Sequence, residues 1–294
     1  MANGISEQIR GFSIEVMPRT AAKIDDFRAI LPLGTRVYVA MIEGTPLDEM
    51  VATAKRIRSS GFPVMPHFPA RLIGSRRELA DLIDRYSSEA NVDEALVIGG
   101  GAGAPAGDFH CALQLLRTEL FSKAGFTRIH IAGHPEGNRD IDPQGGTANV
   151  DEALASKHEF LRSAHAESAI VTQFLFEAEP VRAWMRRIRE LGIELPVHLG
   201  IAGPAKLQTL LKFAIACGVG SSLRVLKRRA SDIPNLLRKH EPTDLIEDIS
   251  RFKASNELQN FANLHVFPLG GIMASAKWAA EKGGHAHTLG AFAR

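Results

Sequence analysis

Eight short apolar runs punctuate this chain, and each is followed by a stretch with helical spacing. They read "FSIEVMP" (12–18), "RVYVAMI" (36–42), "PVMPHFP" (63–69), "EALVIGG" (94–100), "RIHIAGHP" (128–135), "SAIVTQFLF" (168–176), "LPVHLGI" (195–201) and "LHVFPLGG" (264–271). Most are continuous rather than alternating, as strands buried on both faces should be. Between them, apolar residues recur every three or four positions. Leu47, Met50, Val51, Ala54 and Ile57 share one side of 46–61, and Val181, Trp184, Met185, Ile188 and Leu191 share one side of 179–192. Segment 204–218 opens with proline and closes with glycine, the usual asymmetry of helix ends. Eight strand–helix units in 294 residues predict an α/β protein, a (β/α)8 TIM barrel forming a single domain over 1–294. The long last connection predicts an extra helical segment around 220–262. An open doubly wound sheet is the competitor, but it usually carries a glycine fingerprint after its first strand. This first strand runs into "MPRTAAK" instead.

Composition narrows the function classes. Apolar residues make up 45% and charged residues 23%, as in a soluble globular protein. No run of about 18 apolar residues exists, so no membrane span is expected, and "MANGISEQIRGF" does not read as a secretory signal. Cys111 and Cys217 lie in helix-like segments without C-x-x-C spacing. They read as reduced, packed thiols of a cytoplasmic protein rather than a disulfide or metal ligands. The net charge of +2 and the scarcity of Trp and Tyr speak against nucleic acid. The basic run 224–242 reads as a solvated helix face, or as a contact for a polyanionic ligand tail.

In a barrel of this kind the C-terminal strand ends carry the active site. Polar residues there include Glu15, His67, His134, Glu136, Thr172, Gln173 and His198. His198 and Gln173 also read as hydrogen-bonded core residues. Glu15 stands out, because an ionised carboxylate inside a barrel costs several kcal/mol unless paired or wet. It is either half of a structural ion pair or an acid, since a carboxyl shielded from water holds its proton to higher pH. The glycine-rich "GGGAGAPAG" (99–107) lacks the P-loop pattern. Gly99, Gly100 and Gly101 either let a flat or phosphorylated ligand approach backbone amides or form a flexible turn.

In this order, these stretches resemble the methylenetetrahydrofolate reductase family from residue 11 to about 220, and more loosely beyond. "FSIEVMPRT" resembles the family's S-F-E-[FL]-x-P-P, "PHFPA" its P-H-L-T-C, and "IAGHPEGN" its V-A-[GC]-Y-P-E-x-H. "SAIVTQFLFE" is similar to I-I-T-Q-x-F-F-D, and "LGIAGPAKLQTLLKFA" to P-G-I-x-P-I followed by a helix. The resemblance implies an oxidoreductase that interconverts 5,10-methylenetetrahydrofolate and 5-methyltetrahydrofolate. It implies hydride transfer through bound FAD, NAD(P)H as co-substrate, and a homo-oligomer. Glu15 matches the family's general acid, Gln173 the glutamine on the pterin, and Phe213 the phenylalanine on the folate aryl ring, though Phe213 also reads as core. His67, His134, Pro135, Glu136 and Lys157 match cofactor-facing positions, with His134 where the family usually has tyrosine.

Departures are equally specific. The family's fourth strand commonly ends in L-R-G-D, whereas here Gly99 replaces the arginine and Gly101 the aspartate. "AMIEGT" replaces T-Y-G-A, Asn138 replaces the P-E-x-H histidine, and "FPLGG" replaces Y-T-L-N. These losses touch the cofactor half and spare Glu15, Gln173 and Phe213. They keep two alternatives open: a flavin-independent NAD(P)H-dependent folate reductase, and a non-catalytic folate-binding barrel.

Overall fold

The computed structural model describes residues 2–216 and 239–283. All eight apolar runs form strands, and these strands close into a barrel. They are β1 (Ser13–Val16), β2 (Val37–Val39), β3 (Val64–Pro69), β4 (Glu94–Ile98), β5 (Arg128–Gly133), β6 (Glu167–Leu175), β7 (Val197–Ala202) and, last in sequence, β10 (Phe261–Phe267). The closed order is β1-β10-β7-β6-β5-β4-β3-β2, with every barrel pairing parallel. The continuous runs have the expected cause: β3 and β7 are buried at every residue. A separate two-stranded antiparallel ladder pairs β8 (Ala205–Lys206) with β9 (Lys239–His240).

Helices cover the barrel with the predicted faces. Helix Leu47–Ser59 buries Met50, Val51, Ala54 and Ile57, with Asp48 and Glu49 in its first turn and Arg56 and Arg58 in its last. That charge order suits the helix dipole. Burying each large side chain there contributes on the order of 2 kcal/mol. Helix Glu179–Glu190 buries Val181, Trp184, Met185 and Ile188. Leu191 does not join them, being 49% exposed. The helix has already ended, and Gly192 at φ +73° turns the chain away.

The helix of the 204–218 segment starts later than its opening proline suggests. Its helix covers Leu207–Ala216, because residues 205 and 206 are taken by the small ladder. Cys111 is also not packed: it lies exposed at the start of helix Ala112–Arg117. Cys217 and residues 224–238 of the basic run lie outside the described residues, as does 220–238 of the extra segment. The described remainder of that segment holds helix Thr243–Ala254, which buries Leu245, Ile246 and Ile249. No helix among the described residues is long and apolar enough to cross a membrane.

The two ends of the barrel differ. At the N-terminal end, Glu94 receives Arg36 at 2.5 and 2.9 Å and Arg128 at 3.3 Å, while Arg128 also meets Glu167 at 2.5 Å. These residues stand at the starts of β2, β4, β5 and β6, so register alone stacks them into an alternating ladder of charge. The lumen above is lined by Tyr38, Met65, Leu96 and Val171.

Candidate active site

Glu15 points into the barrel mouth, with its side chain 20% exposed. Its Oε2 lies 3.3 Å from His67 Nε2 and 4.0 Å from His265 Nε2. Both histidines are buried, and neither Nε2 makes a hydrogen bond among the described residues. The His67 contact is close but poorly aligned for a bond. So Glu15 is not one arm of a satisfied structural ion pair. It shares a sheltered corner with two unsaturated imidazoles.

Below it runs a polar column through the lumen. Tyr38 Oη and His130 Nδ1 are 2.6 Å apart. Burial raises the Tyr38 pKa, so the phenol keeps its proton, and the His130 tautomer sets which of the two groups donates. His130 stacks at 4.9 Å on His198, and Tyr38 meets His265 edge-on at 4.5 Å. All these histidines titrate low because burial disfavours the cation: His130 and His265 fall well below the ordinary range, and His198 falls to about 4. Two of them, His130 and His265, were not singled out from sequence. Their signal was a histidine inside an otherwise apolar strand, as in "RIH" and "LHV".

Gln173 owes its position to a bulge. Val171 pairs with His198 but Phe174 pairs with Gly200, so Thr172 and Gln173 together oppose one residue of β7. Bulges of this kind re-aim side chains and are common beside active sites. Thr172 secures it: its Oγ1 accepts the Gly200 N–H at 2.8 Å and donates to the Gln173 carbonyl at 2.9 Å. Gly200 is required, because a Cβ there would meet the Thr172 and Gln173 carbonyl oxygens at 2.5 and 2.6 Å. The Gln173 side chain hydrogen-bonds His134, whose pKa falls to about 4, first through burial and then through Lys157. A residue matched to the pterin and one matched to the flavin are therefore in direct contact.

Phe213 is 37% exposed on helix Leu207–Ala216, beside the apolar cluster of Phe174, Phe176, Leu207, Leu210 and Ala214. It is a displayed ring rather than a core one. The glycine-rich loop is also no loose turn. Arg71 N–H donates to Gly99 O at 2.9 Å, Ala106 N–H to Arg71 O at 2.9 Å, and Arg71 Nη1 to Ala102 O at 3.1 Å. Gly107 packs directly on the Gly74 backbone, where a Cβ would come within 1.9 Å of its carbonyl oxygen. A cleft of about 290 Å³ opens beside the loop, lined by Met41, Glu43, Thr45, Arg71, Leu72 and Ala104.

The residues that the resemblance makes cofactor-facing could hold a ligand on three counts. A Cβ at Gly99 or Gly101 would meet nothing within 4 Å, which leaves room against the backbone. His134 Nδ1 is buried and has no partner among the described residues. Lys157 is buried and, among the described residues, donates to Ala132 O at 3.4 Å, and burial lowers its pKa to about 8. A cation kept dry is suited to an anionic ligand. Pro135 is buried and Glu136 half-buried on the same loop after β5.

No family model matches the chain. Among solved structures, the chain is similar to an uncharacterized protein from Clostridium thermocellum that binds two copies of 5-methyl-5,6,7,8-tetrahydrofolic acid. The TM-score is 0.64 at 13% identity, covering 96% of this chain and 98% of that one. The carboxyl transferase domain of Rhizobium etli pyruvate carboxylase aligns at TM-score 0.41 and 11% identity, over 97% of this chain and 56% of that chain. The first likeness is one of fold.

Proposed function

We propose that the barrel mouth binds a tetrahydrofolate derivative and interconverts its 5,10-methylene and 5-methyl forms, with Glu15 as the general acid. The observation that carries this reading is the Glu15 carboxyl, turned inward at the mouth and sheltered between two buried imidazoles. The Clostridium thermocellum protein, which binds a methyltetrahydrofolate on the same fold, supports folate as the ligand.

Glu15 gives its proton to a nitrogen of the folate five-membered ring. That nitrogen takes the proton on its lone pair and then keeps the C–N bonding pair, becoming an N–H amine. The other nitrogen supplies its lone pair to the freed carbon, which becomes an electrophilic iminium. Gln173, aimed by the bulge, holds the pterin edge, and Phe213 stacks on the aryl ring. His67, Gly99, Gly100, Gly101, His134, Pro135, Glu136 and Lys157 would line the flavin. Bound FAD would supply the hydride carrier, recharged by NAD(P)H. Excluding water from this corner strengthens each of these interactions.

Glu15→Gln keeps the shape but carries no acidic proton. Folate turnover should fall roughly 10²-fold or more, in the range of general-acid contributions. Near wild-type turnover in a stopped-flow assay with methylenetetrahydrofolate would remove Glu15 from the mechanism. A second reading, direct hydride transfer from NAD(P)H, is favoured by one observation: Gly99 and Gly101 offer a flavin neither guanidinium nor carboxylate. Colourless, FAD-free protein that still turns folate over would select it.

A further inference from the structure

We propose that His134 is a positioning residue that sets the specificity of Gln173. By holding the carbonyl end of that amide, it turns the N–H end to the barrel mouth and selects a pterin that accepts there, a 4-oxo pterin over a 4-amino one. This deepens the folate reading and rests on it.

Register sets the two side chains next to each other. Gly133 of β5 pairs with Thr172 of the parallel β6, so His134 and Gln173 are the next residues along neighbouring strands. Three constraints fix His134. Gly133 lets β5 pack closely: a Cβ there would come within 2.5 Å of the Ile170 side chain and 3.1 Å of Trp184. Pro135 follows, which disfavours a helical backbone at His134. The Gly137 N–H then closes a turn onto the His134 carbonyl at 3.0 Å. Gln173 is fixed from its own side, where its carbonyl accepts from the Thr172 hydroxyl at 2.9 Å.

The bond between the two side chains has a direction. His134 Nδ1 is buried and makes no hydrogen bond among the described residues, so the bond to Gln173 runs through Nε2. Burial first, and then the Lys157 cation, keep the ring neutral, with one N–H and one lone pair. Two arrangements exist. With the proton on Nδ1, Nε2 accepts from the Gln173 amide, and a buried Nδ1–H is orphaned, which costs its full desolvation. With the proton on Nε2, the ring donates to Gln173 Oε1, and only the Nδ1 lone pair is unfilled. Among backbone groups too, orphaned N–H is rarer than an unfilled acceptor. The contact also strengthens the hold of His134 on a proton, as an acceptor facing an imidazole N–H does. Both arguments assign the Nε2–H tautomer.

The consequence falls on the ligand. The carbonyl end of the amide is turned to the ring, so the end that Gln173 turns to a pterin is its N–H end. A 4-oxo pterin meets it with a carbonyl oxygen. A 4-amino pterin sets N–H against N–H, and a site built for one partner rejects the other strongly. Without His134, the amide can rotate to suit either ring.

Calorimetric binding of tetrahydrofolate and of its 4-amino-4-deoxy analogue tests this. The native protein should prefer the 4-oxo form about 30-fold, in the range of one mispaired buried donor. His134→Leu should cut that preference to about threefold, mostly by binding the 4-amino form better. His134→Gln, which keeps an N–H donor near the place of Nε2, should retain the native preference. Nitrogen-15 NMR of the native protein reads the tautomer without any variant or ligand: Nε2–H is expected for His134. Equal native binding of the two pterins, an undiminished preference in folded His134→Leu, or a native proton on Nδ1 would each overturn the inference. If neither pterin binds the native protein, the folate reading falls, and the tautomer alone decides the orientation of Gln173.

Discussion

The barrel's base and its mouth are built from similar residue types and treat them in opposite ways. At the base, Arg36, Glu94, Arg128 and Glu167 are joined in a chain of ion pairs, although Arg128 Nε makes no aligned hydrogen bond among the described residues. At the mouth, His67 Nε2, His134 Nδ1 and His265 Nε2 are buried and unbonded among the described residues. Unmet hydrogen-bonding capacity costs stability wherever it is buried. A fold that closes its charges at one end can carry such groups at the other, and there a ligand can meet them.

The sharpest way to break this contrast is acid. His134 and His198 titrate at about 4 in the folded barrel, against the ordinary 6.5. Because the folded values are lowered, the unfolded chain takes up protons first. Stability is intact above about pH 6.5 and is lost as pH falls toward 4, by roughly 3 kcal/mol for each of these two residues. His130 and His265 push in the same direction. Urea titrations between pH 7.5 and 4.5 should show that slope, and His198→Gln should flatten it. An unchanged midpoint down to pH 4.5 would mean that the lumen already admits protons.

Glu94→Gln probes the base. It leaves two arginines against a neutral amide and should cost about 3 kcal/mol in unfolding free energy, with folate turnover per folded molecule unchanged. This is the mirror image of Glu15→Gln, which should spare stability and lose turnover. Gly200→Ala tests the bulge: an added Cβ strikes two carbonyl oxygens, costing about 2 kcal/mol and weakening folate binding through Gln173. The smallest effect belongs to Phe213→Ala. Folate Kd should rise about fivefold, in the range of one aromatic contact, while the melting temperature stays put because the ring is already displayed.

The fold was legible because strand burial is written in continuous apolar runs, and all eight were visible. Glu15 was legible for the same reason: a carboxylate breaks such a run. The rest was hidden by what periodicity cannot encode. A continuous run does not say which residues face the lumen, so Tyr38, His130 and His265 passed as strand fillers. Ser13 carries no signal until its hydrogen-bond partner His265, 252 residues away, is seen beside it. The bulge leaves no mark in "VTQFLF", and Leu191 fits a helical face that stops one residue too early. Cys111 looked helical and turned out to sit just before the first turn.

The extra residue in β6 ties together two features that look independent. Beyond it, Phe174 pairs with Gly200 and Leu175 with Ile201, which sends Phe174 to the cluster beneath helix Leu207–Ala216 and Leu175 to the outer core. One irregularity thus steers the amide of Gln173 and also lays the floor on which the Phe213 helix rests. Deleting a single residue at 172 or 173 would swap the facing of Phe174 and Leu175, and the helix would lose its seat though the barrel could still close. Lineages that drift at this position should therefore keep or discard both halves of the binding surface in a single step.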